Sequence, residues 1–68
     1  MTSHELNDFM SKHNLNAITL ASTLGVTTGA VRHWIFERRD IPEMAARLIR
    51  FFEESPEDMA YFKGLASN

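Results

Sequence analysis

Three residues separate two helical stretches near the middle of the chain, and this spacing is the strongest constraint on the fold. Asn16 is a good capping residue for the first stretch, which ends at Gly25 because glycine takes the left-handed conformation that closes a helix. Thr27 can cap the next helix, so the turn holds only Gly25, Val26 and Thr27. A turn this short forces its two helices to cross steeply. We therefore predict such a pair, with Ala21 as the small residue at the crossing.

Start signals on the N-terminal side of this pair, and again after it, predict two more helices. Thr2 or Ser3 can cap a first helix, and Glu5 stands in capping-box position relative to Thr2. That helix would end at residues 13–14. Pro42 fits the first turn of a fourth helix, where a missing backbone N–H costs nothing.

The C-terminal segment carries the signals of a fifth helix. Ser55 offers a cap, Pro56 suits the first helical position, and two acidic residues follow that favour the positive end of the helix dipole. Gly64 is expected to end this helix. No alternating strand pattern occurs along the sequence. We therefore predict an all-α fold, a compact bundle of about five short helices.

Apolar residues at helical spacing predict the core. Val31 and Trp34 would seal the third helix against it, and Val26 would fill the corner of the turn. Of the neighbours Ile35 and Phe36, we expect one to join the core and leave open which. The expected core residues are Val26, Val31, Trp34, Leu48 and Phe52.

The 68 residues allow one small domain spanning residues 1–68, and its stability should be marginal because so short a chain buries little surface. Cysteines are absent, and His4, His13 and His33 follow no metal-ligand spacing, so we expect no disulfide, metal or cofactor, with His4 and His13 as plain surface residues. Association with a second copy of the chain is the remaining way to stabilise so small a domain. We therefore predict a homodimer through the C-terminal helix at 55–66, with these apolar residues at its interface: Phe51, Met59, Tyr61, Phe62 and Leu65.

The charge of the chain is unevenly distributed. The net charge is −2, but residues 27–50 hold five arginines against three acidic residues, a local balance of +2. The remaining residues hold two lysines against six acidic residues, a balance of −4. One face could therefore meet an anion while the other repels it. No apolar run approaches the ~20 residues needed to cross a bilayer, and the N-terminus has no secretion signal, so we expect a cytoplasmic protein.

The third helix would present a polar outer face once its apolar residues are buried. That face holds Thr28, Gly29, Arg32 and His33, and Thr27 lies at its start. This is the geometry of a recognition helix presented to a major groove of double-stranded DNA. Arg32 is the best candidate for base contact, because arginine pairs bidentately with guanine.

The sequence resembles the Cro/CI-type, or XRE-like, helix-turn-helix regulators over roughly residues 4–53. Outside the turn, the stretch after the third helix, with Arg38, Arg39 and Pro42, looks like the small phage and antitoxin members of this family. Glu37 stands where many members carry glycine. The residues that match are Leu15, Leu20, Ala21, Leu24, Gly25, Val26, Thr27, Val31, Trp34, Arg38, Arg39, Asp40, Ile41, Pro42, Ala45, Leu48 and Ile49.

The resemblance implies a lambda-repressor-like DNA-binding domain that acts as a dimeric repressor at an inverted-repeat operator. Arg38 and Arg39 would then clamp phosphates rather than read bases. The likeness to the small phage subset implies autoregulation of an operon of the kind that carries an anti-CRISPR or toxin gene.

Two other classes of function are weighed against this one. The chain could be a protein-interaction module that keeps the fold, inhibits a partner protein and does not read DNA. Arginines gathered on one face favour DNA binding, because such a module would not need them. An enzyme is not expected, since the sequence offers no nucleophile–base pair and no metal cluster.

Overall fold

The computed structural model describes residues 1–66, with side chains to residue 65, and forms five helices with no strand in that range. The predicted all-α architecture is confirmed. The helices are α1 (Ser3–Lys12), α2 (Ala17–Leu24), α3 (Thr28–Ile35), α4 (Glu43–Glu54) and α5 (Pro56–Ala66). Helix α2 packs against both α3 and α5, while α1 contacts α3 and α4 contacts α5.

The first three helices begin at the capping residues that the sequence predicts. Thr2 and Glu5 form a capping box in which each side chain accepts a hydrogen bond from the other residue's backbone N–H. Asn16 and Thr19 form the same arrangement at the start of α2. At α3 the Thr27 hydroxyl oxygen accepts from the N–H of Ala30 at 3.1 Å. These bonds satisfy N–H groups that have no partner within the helix.

The turn between α2 and α3 is built on Gly25 and on the carbonyl of Ala21. Gly25 has φ +77°, and both its N–H and that of Val26 bond to the Ala21 carbonyl, at 2.9 and 3.0 Å. The predicted glycine closure is confirmed. The expected burial of Val26 is wrong, because its side chain is 37% exposed. Backbone hydrogen bonds close the turn without a buried Val26, and the Val26 side chain forms part of the lining of a surface groove.

The core draws residues from all five helices. Phe9, Leu20 and Phe52 are among its largest fully buried side chains. Leu48, expected in the core, is only half-buried at its edge. The core residues are Leu6, Phe9, Met10, Leu15, Leu20, Ala21, Val31, Trp34, Ile49, Phe52 and Met59.

The alternative between Ile35 and Phe36 is decided by the position of each on the helix. Ile35 is half-buried and packs against the core cluster. Phe36 is 68% exposed and follows the last residue of α3 as its C-cap.

Two expectations for the last helices need correction. Pro42 lies one residue before α4, as its N-cap, rather than within the first turn. Gly64 does not end α5, which continues to Ala66. Nothing in the surroundings of Gly64 calls for glycine, since an added Cβ would meet no atom within 4 Å. The start of α5 at Pro56 is as predicted.

Polar contacts connect α1 to the rest of the bundle, and one of them overturns the expectation for His13. The His13 side chain is only 14% exposed; its ring centroid lies 4.7 Å from that of Phe9, and Nε2 lies 3.5 Å from Glu53 Oε2. His13 is therefore not a plain surface residue, because it lies between the end of α1 and α4. Lys12 Nζ donates to the same Glu53 oxygen at 3.1 Å. His4, by contrast, is exposed and pairs with Asp8 on α1.

Candidate nucleic-acid interface

The exposed face of α3 is a stripe of three residues, Gly29, Arg32 and Phe36. They are spaced i, i+3 and i+7, so they lie on one side of the helix. Thr28 and His33 flank them and are half-buried. The structure thus brings the sequence-predicted residues of α3 onto one surface and adds Phe36. We call Gly29, Arg32 and Phe36 together the reading stripe. The i+7 spacing from Gly29 was the signal in the sequence that points to Phe36.

The beginning of α3 is open to solvent at Thr27. The Thr27 oxygen accepts from Ala30 and caps the helix, which leaves the hydroxyl hydrogen to donate elsewhere. The positive end of the α3 dipole lies at the same place and favours an anion there. This end of the helix can therefore meet a phosphate without loss of the cap.

Gly29 is not required by packing within the chain. A Cβ added there would have the Thr27 hydroxyl oxygen as its nearest neighbour, at 4.0 Å, and the backbone is ordinary helix. Glycine costs about 1 kcal/mol against alanine inside a helix. The lack of a side chain leaves the backbone of the reading stripe open to close approach from outside.

Arg38 and Arg39 extend the basic surface past the end of α3. Both side chains are exposed, and both backbone N–H groups donate to the carbonyl of His33, at 2.8 and 3.3 Å. The segment after α3 is thereby fixed against the helix that carries Arg32. Three exposed arginines thus lie on and next to one short helix.

Glu37 is an acidic residue within this basic surface, and exposed Asp40 follows Arg39. The Glu37 φ of +58° is left-handed, a conformation that costs a residue with a Cβ about 1–2 kcal/mol. Glycine would adopt this backbone angle without that cost. The Glu37 Oε1 accepts a hydrogen bond of 2.9 Å from the Ser3 hydroxyl, which holds the carboxylate towards the start of α1.

An apolar groove of about 500 Å³ lies on a different part of the surface, between the α2–α3 turn and α4. Met44, which is 77% exposed, and Phe51, which is 46% exposed, contribute to its lining. Arg47 also lines it, and its Nε lies 3.5 Å from Glu43 Oε1, one turn earlier on α4.

The residues predicted for the dimer interface differ in accessibility. Tyr61, Leu65 and Phe51 are about half or more exposed. Met59 is 6% exposed and belongs to the core of a single chain, so it is not accessible at the surface for the interface in which it was predicted. Phe62 is half-buried, and its ring packs edge-on against Phe52 at 5.2 Å. Three apolar side chains of the five therefore remain open to a partner.

Neither a metal-binding cluster nor a membrane span occurs in the part of the chain that the structure describes. No group of three or more His, Cys, Asp or Glu residues within it could hold a metal ion. None of its helices combines the length and apolar character needed to cross a membrane. Comparison of the chain with protein-family models, curated proteins and solved structures finds no match.

Proposed function

We propose that the chain is a sequence-specific DNA-binding transcriptional regulator that inserts α3 into the major groove. The observation that carries the proposal is the reading stripe: Arg32 is exposed on it, and Arg38 and Arg39 adjoin it. An eight-residue helix is about 12 Å long, comparable with the ~12 Å width of the groove. Arg32 reads a base, while His33 and Thr28 contact the walls of the groove. Thr27, Arg38 and Arg39 bind phosphates.

The regulator acts as a homodimer on an inverted repeat. Support comes from the exposed apolar side chains Phe51, Tyr61 and Leu65 near the C-terminal helix, which a monomer of this size leaves in water. Two-fold symmetry would set the two recognition helices ~34 Å apart, one turn of DNA. Occupation of a promoter by such a dimer represses transcription, and autoregulation is the simplest circuit.

A selection experiment tests this proposal. The chain is incubated with random duplex DNA, bound molecules are amplified over several rounds, and the enriched sequences are compared. We expect an inverted repeat with half-site centres 10–10.5 base pairs apart. Sedimentation of the complex should give two chains per duplex. Enrichment of no sequence, with no binding to duplex DNA at low salt, would contradict the proposal.

A second candidate function is a protein-interaction module, and the apolar groove beside α4 favours it. Met44 and Phe51 leave apolar surface there that no part of the described chain covers. This function predicts that Met44→Lys abolishes activity in cells while Arg32→Ala has no effect. The DNA-binding proposal predicts the opposite result for Arg32→Ala.

A further inference from the structure

Phe36 is an exposed aromatic residue that has three exposed arginines near it in the chain, Arg32, Arg38 and Arg39. Its side chain is 68% exposed, whereas the adjacent Ile35 takes the position that packs against the core. Burial of a phenylalanine is among the larger apolar contributions to folding, and this chain leaves that contribution unused at Phe36. The ring is thus available to a partner rather than to the fold.

The surroundings of Phe36 indicate what that partner is. Arg32 lies one turn before it on the reading stripe, and Arg38 and Arg39 follow it two and three residues later. Nearby Glu37 is held by the Ser3 hydroxyl. Asp40 follows Arg39 and is also exposed, so the arginines outnumber the acidic residues here by one. The remaining positive charge favours a partner surface that is anionic and also presents an apolar group. The major groove meets both requirements, because thymine carries a 5-methyl group between two phosphate backbones.

We propose that Phe36 contacts the 5-methyl group of a thymine near the base that Arg32 reads. This inference rests on the proposed function. Four residues of helix span about 6 Å, and base pairs are spaced ~3.4 Å apart, so the thymine lies within about two base pairs of the Arg32 contact. Phe36 is then a specificity-determining residue: it selects thymine over cytosine, which has no methyl group.

Uracil in place of thymine tests the contact, because it removes only the methyl group. Duplexes carrying the selected operator are made with deoxyuridine at one thymine at a time, and the Kd of the full chain is measured for each. Each half-site should contain one thymine whose replacement by deoxyuridine weakens binding of the wild-type protein about fourfold. This is the effect expected from the loss of one buried methyl group. For Phe36→Ala, the thymine and uracil duplexes should bind equally well at that position.

Two further variants make the result specific. Phe36→Leu keeps an apolar side chain and should keep most of the preference for thymine. Met44→Ala removes an exposed apolar side chain from α4, away from the reading stripe, and should keep all of it. Thermal unfolding checks each variant, and the exposure of Phe36 predicts that Phe36→Ala stays folded.

The outcomes separate the inference from the function on which it rests. If an operator is selected but Phe36→Ala keeps the full preference for thymine over uracil, the role of Phe36 is overturned and the proposed function stands. If Phe36→Ala dissociates the dimer in sedimentation without changing that preference, Phe36 belongs to a protein interface and the inference is also overturned. If no operator is selected, the proposed function and the inference fail together.

Discussion

Arg32 and Phe36 lie one turn apart on the exposed side of α3, and the backbone N–H of Phe36 donates to the carbonyl of Arg32 at 3.0 Å. This bond keeps the last residue of the reading stripe in helical register with the arginine. The side chains at the two positions therefore project in similar directions, with a guanidinium group at one and an aromatic ring at the other. The predictions below test this surface and the contacts that support it.

The first prediction concerns Gly29. Gly29→Ala should raise the free energy of unfolding by about 0.5–1 kcal/mol, because alanine is the better helix former and its Cβ has room. The same change should weaken binding to the selected operator, since the methyl group would separate α3 from the DNA. Denaturant unfolding and fluorescence anisotropy measure the two effects. A stabilised variant with unchanged affinity would show that the backbone of α3 does not approach DNA closely at this point.

Glu37 allows the effects of backbone conformation and of charge to be separated. Glu37→Gly and Glu37→Ala remove the same carboxylate, but only glycine adopts φ +58° without strain. We expect the glycine variant to be the more stable by about 1 kcal/mol. Both should bind DNA more tightly than the wild-type protein, because a negative charge has left the basic surface. Equal stability of the two variants would contradict the account of this turn.

Arg39 tests the phosphate contacts. Arg39→Ala should weaken binding to operator and random duplexes alike. It should also make the negative slope of log K against log salt concentration less steep by about one unit. Arg47→Ala is the matched control, since Arg47 is also an exposed arginine but pairs with Glu43 on α4. Its salt slope should equal that of the wild-type protein. An unchanged slope for Arg39→Ala would remove Arg39 from the interface.

The contact between α1 and α4 predicts a dependence of stability on pH. The hydrogen bond from Lys12 lowers the pKa of Glu53 below its ordinary value of 4.5, with a smaller contribution in the same direction from His13. A lowered pKa in the folded state means that the contribution of Glu53 is present above pH ~4.5 and is lost as the pH falls through the folded value. Because the pair is partly exposed, we expect it to contribute less than ~1 kcal/mol.

Glu53→Gln should therefore lower stability at pH 7 and reduce the loss of stability between pH 5 and pH 3. Glu54→Gln removes the same charge one residue further along α4 and serves as the control. Denaturant unfolding at each pH gives the comparison. If both variants show the same pH dependence, the bond between Lys12 and Glu53 does not contribute to stability.

The sequence predicted the helices well because their ends depend on local chemistry. Thr2, Asn16, Thr27 and Gly25 act on backbone groups within four residues, so their roles can be read from neighbours in the chain. The prediction that Gly64 ends α5 was wrong because glycine is also tolerated within a helix when no turn is required there.

The errors arose where burial depends on residues distant in the chain. The burial of Met59 in the core and the exposure of Val26 follow from how α5 and α4 pack, which helical spacing does not specify. His13 was missed as a contact residue because its partner, Glu53, lies 40 residues away. The reading stripe was largely predicted, since the burial of Val31 and Trp34 determines which side of α3 faces out.

The affinity of Arg32→Ala for operator and for random duplex, measured side by side at fixed salt, tests the central claim most directly. If α3 reads DNA through this stripe, the variant should lose about 1–3 kcal/mol of binding free energy on the operator and little on random DNA. It should also accept other bases at the position where the wild-type protein requires guanine. Equal losses on both duplexes would reduce Arg32 to a phosphate contact, and no loss on either would contradict the assignment of α3 as the recognition helix.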